Sequence, residues 1–281
     1  MLNMIRMDMY RLFKSRSMYV IWMILACFLL GTTYTSKMDM DAAAGEGADS
    51  QIEEEMEEEP VALGMAVELP TKPGEKVTVY DEFYANTQGK VMALFIVIFT
   101  VLFSTADSTS GYIKSVAGQV QHRGKMILSK TLAILLFTVM TMGLAVFWQA
   151  LCHQLLLGYA RFGDGKFFGR YFVVQVVLHF ALALVCMCIA SLVRNNVVSM
   201  IFAVCLCMNF LILLCGVIDN FIQKIGYKDF SVIRYTVSGK ISLLPMNLTG
   251  KDGIGALLVS VIFILVMTSL TSVVFEKRDV V

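Results

Sequence analysis

Two glutamine–histidine pairs stand inside long apolar runs of this chain. Gln149 and His153 are four residues apart in one run, and Gln175 and His179 are four residues apart in the next. Residues at that spacing share one face of a helix. A short polar loop separates the two runs, so we expect antiparallel neighbouring helices. Counting about 1.5 Å per residue from that loop brings the two pairs to similar depths. The spacing therefore predicts an interhelical polar cluster.

Such a cluster allows three interpretations. Hydrogen bonds between helices in a bilayer, worth about 0.6 kcal/mol each, would hold the two helices together. Alternatively, polar groups inside a membrane line a translocation path or respond to protonation. A metal site is the third interpretation, because histidine is a frequent metal ligand. The pattern favours the first, structural interpretation and leaves the other two open.

Motifs for a self-contained enzyme are missing from the sequence. A phosphate-binding loop needs Gly-x4-Gly-Lys-Ser/Thr, and each of the five Gly-Lys pairs lacks both the first glycine and the final hydroxyl residue. The zinc motif His-Glu-x-x-His is absent too. Cysteines such as Cys186 and Cys188 are two residues apart in an apolar run, where their side chains would point apart. We therefore expect no catalytic residue, cofactor or metal on this chain, and any ATP hydrolysis on a partner subunit.

The elements that position these residues are long apolar runs. The 281 residues are 57% hydrophobic, and the mean hydropathy is +0.71. A helix of roughly 20 apolar residues crosses a bilayer. The predicted fold is an all-α polytopic membrane protein embedded in the lipid bilayer, with no role in nucleic-acid binding. Six transmembrane helices are expected, at about 18–34, 91–106, 131–157, 171–193, 197–218 and 254–275.

Charge distribution sets the expected orientation. Residues 1–17 alternate apolar and basic positions with helical period, which predicts an amphipathic helix at the membrane interface. Positive charge marks the cytoplasmic side, so the N-terminus and, after six spans, the C-terminus are expected inside. The acidic loop 37–90 and the loop 219–252 then lie outside. Within them, Val77–Tyr80 is predicted as a short strand, and 230–245 is semi-apolar enough to lie on the membrane or dip into it.

The segment 107–130 joins the second and third predicted spans and is strongly basic. It carries Lys114, Arg123, Lys125 and Lys130, and its one acid is Asp107 at the border. A short basic loop between spans belongs in the cytoplasm. Its apolar residues recur at helical spacing, which predicts a short amphipathic helix there. A helix in that place offers a surface that another protein can push.

The chain resembles the permease subunits of the type-two ABC exporter family, in their small six-span form. The resemblance rests on the amphipathic opening 5–16, on the pattern Gly111-Tyr-Ile-Lys114…Gly118-Gln119…Arg123-Gly124…Leu128-Ser-Lys130, and on the ending 275–279. Membership implies that 107–130 is a coupling helix seated in a separate ATP-binding subunit. It also implies a dimer with a second permease subunit, identical or not, in the plasma membrane of a Gram-positive bacterium. Antimicrobial peptides or other amphipathic compounds are the implied substrates.

Under that resemblance, part of the loop contacts the ATPase. The small residues would permit close approach, and the basic ones would meet an acidic partner surface or lipid headgroups. The residues implied in ATPase coupling are Asp107, Gly111, Tyr112, Lys114, Gly118, Arg123 and Lys125. Two other classes stay open: a sensory or regulatory membrane scaffold that does not transport, and, less favoured, a membrane enzyme.

Overall fold

A computed structural model of the protein describes residues 2–45, 67, 69–71, 76–109, 124–193, 195–208, 210, 215–219, 224 and 231–277. Within these residues the major elements are all helices. Their bounds are α1 Leu2–Lys14, α2 Arg16–Gly45, α3 Val79–Gln88, α4 Val91–Thr109, α5 Gly124–Leu156, α6 Gly165–Val193, α7 Asn196–Cys207, a 3-10 turn Val232–Tyr235, α8 Val237–Leu243 and α9 Gly250–Lys277. The predicted helical class is therefore confirmed.

Four of these helices, α2, α5, α6 and α9, are long and apolar enough to cross a membrane. A fifth candidate is the pair α3–α4, which bends by 55° at its junction. Helix α7 is apolar but has only 12 residues. The described part of the chain thus contains four or five candidate spans, and six spans remain a prediction. The predicted fifth span, 197–218, includes residues 209 and 211–214, which lie outside the described residues.

The helices run back and forth between two ends of the bundle. At one, the α1 end, Asp8 of α1 accepts a hydrogen bond from Ser129 near the start of α5, at 2.5 Å. Thr105 near the end of α4 donates to Asn196 at the start of α7, at 3.1 Å. A Cβ at Gly124 would lie 2.5 Å from the Ser272 hydroxyl oxygen of α9. Helix α1 and the last turns of α9 therefore share this end. The opposite, α3 end is formed by α3, the loop 157–164 and the segment 231–249.

Helix α6 is the most buried of the long helices and packs against α4, α7 and α9. Ala181, Ala183 and Leu184, in the middle of the helix, are fully buried. Helices α2 and α9, by contrast, leave wide apolar faces exposed. Apolar side chains on the outside of a bundle are the expected surface for lipid tails. The buried polar side chains are thus enclosed within the bundle, behind a lipid-compatible surface.

Helix α3 replaces the strand predicted at Val77–Tyr80, and that prediction was wrong. Thr78 caps the helix: its hydroxyl accepts from the backbone N–H of Asp81 at 3.2 Å, and the Asp81 carboxylate accepts from the Thr78 N–H at 2.7 Å. This reciprocal pair is a capping box, which starts a helix. All residues from Val79 to Thr87 are buried. The end of the predicted outer loop is therefore part of the packed bundle.

The aromatic residues of α3 attach it to α6. Phe83 and Tyr80 pack edge-on against Phe168, with ring centroids 5.6 and 5.3 Å apart, and Tyr171 lies 5.8 Å from Tyr80. Aromatic pairs at such distances add stability beyond their buried area. Helix α3 ends at Gln88, and Lys90 takes a left-handed backbone with φ of 60° where the chain turns into α4.

The segment 231–249 forms the 3-10 turn and α8, which pack against α3 and α6. The close packing of α8 against the 3-10 turn requires glycine at position 239, because a Cβ there would lie 2.0 Å from the Ile233 carbonyl oxygen. Lys90 donates to the Ser238 hydroxyl at 2.8 Å, which ties α8 to the α3–α4 junction. The region 230–245 is therefore mostly helical in its described part, 231–245, with helical residues at 232–235 and 237–243. Its entry into the membrane remains a prediction.

Candidate functional site

All four residues of the predicted cluster are fully buried: Gln149, His153, Gln175 and His179 have no exposed surface. Their hydrogen bonds, however, go to other partners. His179 Nδ1 lies 2.7 Å from the Gln175 carbonyl oxygen in the same helix. Gln175 donates its side-chain amide to the Ile241 carbonyl oxygen of α8 at 3.3 Å. Within the described residues, no hydrogen bond joins the α5 pair to the α6 pair.

Two short helices account for this difference. Helix α8 supplies the partner of Gln175, and α3 supplies the partner of His153, which is Glu82. Both short helices come from segments that the sequence placed in outer loops. The matching depths of the two pairs were therefore not enough to bring them into contact.

Glu82 and His153 form a fully buried acid–base pair. The side chains are 1% and 0% exposed, and His153 Nε2 contacts Glu82 Oε2. The other carboxylate oxygen, Oε1, lies 2.5 Å from the Thr33 hydroxyl and 3.1 Å from the Thr32 hydroxyl, both on α2. An ionised carboxylate only accepts hydrogen bonds, so these three groups are suitable donors. The pair thereby joins α2, α3 and α5.

Several buried polar atoms around the pair have no hydrogen-bond partner within the described residues. They are both amide atoms of Gln149, Nδ1 of His153 and Oδ1 of Asn86. Gln149 and His153 lie one turn apart on the same face of α5. A buried polar group without a partner costs about 1–3 kcal/mol, so such groups are rare in folded proteins. Because several such groups lie around the Glu82–His153 pair, we take the pair and these groups as the candidate functional site.

The loop 157–164 covers the histidine side of the site. The Tyr159 ring is 6.5 Å from the His153 ring and nearly perpendicular to it. Burial raises the pKa of the Tyr159 hydroxyl, so it remains a neutral phenol. Lys76 lies over the Tyr159 ring, with its Nζ 5.7 Å from the ring centroid. Within the part of the chain that the structure describes, no group of three His, Cys, Asp or Glu residues could hold a metal ion.

At the α1 end, the implied coupling residues fall mostly outside the described residues. Asp107 belongs to the last turns of α4 and Lys125 to the first turn of α5, and their side chains are outside the described part. The other five also lie outside it, namely Gly111, Tyr112, Lys114, Gly118 and Arg123. Their role in coupling therefore stays a prediction.

The described residues beside them form a second polar group at the α1 end. Asp8 is 3.6 Å from Arg11 and accepts the hydrogen bond from Ser129. Lys130 donates to the Ser104 carbonyl oxygen at 3.4 Å. Arg11 and Lys130 both lie over the Phe103 ring, at 6.0 and 5.7 Å from its centroid. These contacts connect α1, α4 and α5 near the end of α4 and the start of α5.

Comparison with known proteins gives no match, either to a protein-family model or to a curated protein sequence.

Glu82 and the two threonines that contact it were not predicted from the sequence as residues of the site. Glu82 lies in the stretch predicted as an outer loop, and a single acid there is normally solvated. The signal that was present is the capping-box pattern Thr78-x-x-Asp81, which is typical of a helix start. A helix starting there would have indicated that Glu82 is carried on a packed element.

Proposed function

We propose that this chain is the transmembrane permease subunit of an ATP-driven exporter. A separate ATP-binding subunit would grip the segment 107–130, and a second permease subunit would complete the translocation path. Antimicrobial peptides or other amphipathic compounds are the substrate class that the family resemblance favours. The proposal rests on that resemblance together with the arrangement of the α1 end.

The supporting observation is that the C-terminal end of the segment 107–130 is bonded both to α1 and to the part of α4 that precedes the segment. Ser129, at its C-terminal end, bonds Asp8 of α1, and Lys130 bonds the backbone of Ser104 in α4. A displacement of the segment would therefore reach α1, α4 and α5 together. Coupling between distant sites needs such a continuous set of packed and bonded elements.

The charge at the α1 end supports the proposed orientation. Helix α1 and the start of α2 carry four basic residues, Arg6, Arg11, Lys14 and Arg16. Positive residues beside membrane spans are retained on the cytoplasmic side. With the α1 end inside, the segment 107–130 faces the cytoplasm, where ATP is available to a partner.

The test is to purify the tagged full-length chain from its native membrane and to identify what is bound. We expect a subunit with a complete Gly-x4-Gly-Lys-Ser/Thr loop, whose ATP hydrolysis in nanodiscs rises when the transported compound is added. A Gly118→Trp variant should express normally and lose this stimulation, because a large side chain would obstruct docking.

Gly169→Trp is the matched control. Gly169 is exposed near the start of α6, at the opposite end, with open space around it, so this variant should keep the stimulation. Normal stimulation in Gly118→Trp would contradict the docking assignment. A bound ATPase without any substrate-stimulated hydrolysis or flux would favour the regulatory scaffold instead.

A further inference from the structure

The proposed transport function does not explain the buried Glu82–His153 pair or the buried polar atoms beside it that have no hydrogen-bond partner within the described residues. We propose that Glu82, His153 and Gln149 form a proton-binding site, which takes up and releases one proton as a unit. The site lies at the α3 end and requires no ATPase partner. Its test is therefore independent of the proposed permease function.

The histidine provides the first place for the proton. Because Glu82 in its ionised form can only accept, His153 donates to it through Nε2–H. In that form Nδ1 keeps a lone pair, which can take a proton from water and form an Nδ1–H bond. Release breaks the same bond, returns the proton to water and leaves the electron pair on the nitrogen.

Gln149 suits both forms of the histidine. Its side-chain oxygen can accept from an Nδ1–H, and its side-chain NH2 can donate to an Nδ1 lone pair. In the structure neither amide atom has a hydrogen-bond partner within the described residues, and neither has His153 Nδ1, so the side chain can present either atom once the proton arrives or leaves. A packing role alone would not need an amide here, because leaving it unpaired in a buried site is unfavourable.

The carboxylate provides a second place for the same proton. The Thr33 hydroxyl lies 2.5 Å from Glu82 Oε1 and 3.0 Å from the Leu29 carbonyl oxygen. It has a single hydrogen, so it can donate to only one of them at a time. With Glu82 ionised, Thr33 donates to Glu82. With Glu82 protonated, the carboxyl O–H donates to Thr33, and Thr33 donates to Leu29.

Several other charged or titratable side chains lie on the elements that pack around the Glu82–His153 pair, and their own contacts are as follows. On α3, Asp81 accepts hydrogen bonds from Thr78, in the cap. On α5, Cys152 is the adjacent residue, and in the covering loop Tyr159 is held neutral by burial. Lys76 is placed over the Tyr159 ring. Helix α2 contributes the two threonine hydroxyls.

Proton occupancy would control how firmly α3 is held. With the proton bound, the pair has no net charge, whereas its loss leaves one negative charge out of water. Burying an uncompensated charge is strongly unfavourable, so the deprotonated site favours movement of α3 toward water. Alkaline conditions at the α3 end should therefore loosen the contact of α3 with α2 and α5.

The experiment is histidine-selective NMR of the full-length protein in nanodiscs, followed from about pH 5 to about pH 9, the range in which histidine titrates. The chain has three histidines, so His153→Gln and His179→Gln assign the buried ones. We expect the His153 signal to change with pH. In Glu82→Gln this change should be lost, because the carboxylate that contacts His153 Nε2 is gone.

Three comparisons complete the test. Glu82→Asp keeps the charge and should retain most of the response, and Gln149→Leu should shift the His153 response while leaving the pair intact. The His179 signal serves as the control. Its behaviour over the pH range should be the same in each of these variants as in the wild type. A His153 signal that is constant over the whole range in the wild type would overturn the proposal, even if Glu82→Gln fails to fold. An unchanged response in a folded Glu82→Gln would overturn it equally.

Discussion

The α1 end and the α3 end of the bundle each hold a carboxylate against a basic side chain, in different surroundings. At the α1 end, Asp8 and Arg11 are 3.6 Å apart, with side chains 8% and 27% exposed. At the α3 end, Glu82 and His153 are in contact and 1% and 0% exposed. Water can therefore solvate part of the first pair if it separates, whereas the second pair depends on its protein partners.

This difference in solvent exposure suits the two ends of the bundle to different roles. Contacts at the α1 end can be exchanged at low cost, which suits a surface where a partner subunit is proposed to dock. At the α3 end, breaking a contact would leave a group unpaired in a dry interior, where the penalty is large. Substitutions of the same kind at the two ends should therefore have unequal effects on stability.

The largest difference is expected when each carboxylate is removed. Glu82→Ala leaves His153 buried without its partner and should cost about 3–5 kcal/mol of unfolding free energy. Asp8→Ala removes a pair whose arginine is partly solvated, together with the hydrogen bond from Ser129, and should cost about 1–2 kcal/mol. Reversible unfolding of the purified protein by a denaturing detergent measures both. Equal losses would show that burial does not distinguish the two ends.

Glycine substitutions test how tightly the two ends are packed. Gly239→Ala, at the α3 end, would place Cβ 2.0 Å from a backbone oxygen and should cost about 1–3 kcal/mol. Gly124→Ala, at the α1 end, meets only the side-chain ends of Ser272 and Glu276, which can rotate away. Its cost should stay within about 0.5 kcal/mol. The same unfolding assay applies, with Gly143→Ala, which meets no neighbouring atom, as the reference.

Helix caps at the two ends give a smaller effect. Thr78→Ala removes the capping box of the buried helix α3 and should cost about 1 kcal/mol. Asn195, which accepts from the N–H groups of Val197 and Val198 at the start of α7, is exposed to solvent. Water can replace its oxygen, so Asn195→Ala should cost about 0.5 kcal/mol. Thermal unfolding in nanodiscs would rank the two, and a larger loss for Asn195→Ala would reverse the comparison.

A smaller effect than that of Thr78→Ala is expected midway between the ends, where two tryptophans join α2 to α5. Trp148 donates to the Ala26 carbonyl oxygen at 2.8 Å, and Trp22 donates to the Thr141 hydroxyl at 3.0 Å. Trp148→Phe keeps most of the ring packing and should cost about 0.6 kcal/mol, the mean value for such bonds in a membrane protein. Detergent unfolding of Trp148→Phe and of the wild type measures this loss. A loss above about 2 kcal/mol would contradict the prediction, because the contact would then contribute more stability than either helix cap.

Local pattern was sufficient for the long helices and for the burial of the four Gln and His residues. The amphipathic opening, predicted at 1–17, is helical over Leu2–Lys14. Helices also cover the runs predicted at 91–106 and 171–193. The four Gln and His residues are fully buried as expected for polar groups within apolar runs. Each of these properties depends on periodicity within one stretch, which is visible in a single sequence.

The partners of those buried residues depended on the tertiary structure. His153 contacts a glutamate 71 residues away, and Gln175 contacts a carbonyl 66 residues away. Both partners belong to short helices, α3 and α8, whose own sequences are too polar or too brief to stand out as membrane elements. A short helix gains most of its stability from what it packs against. Its place in the bundle, and hence the composition of the site, is therefore decided only when the whole chain is assembled.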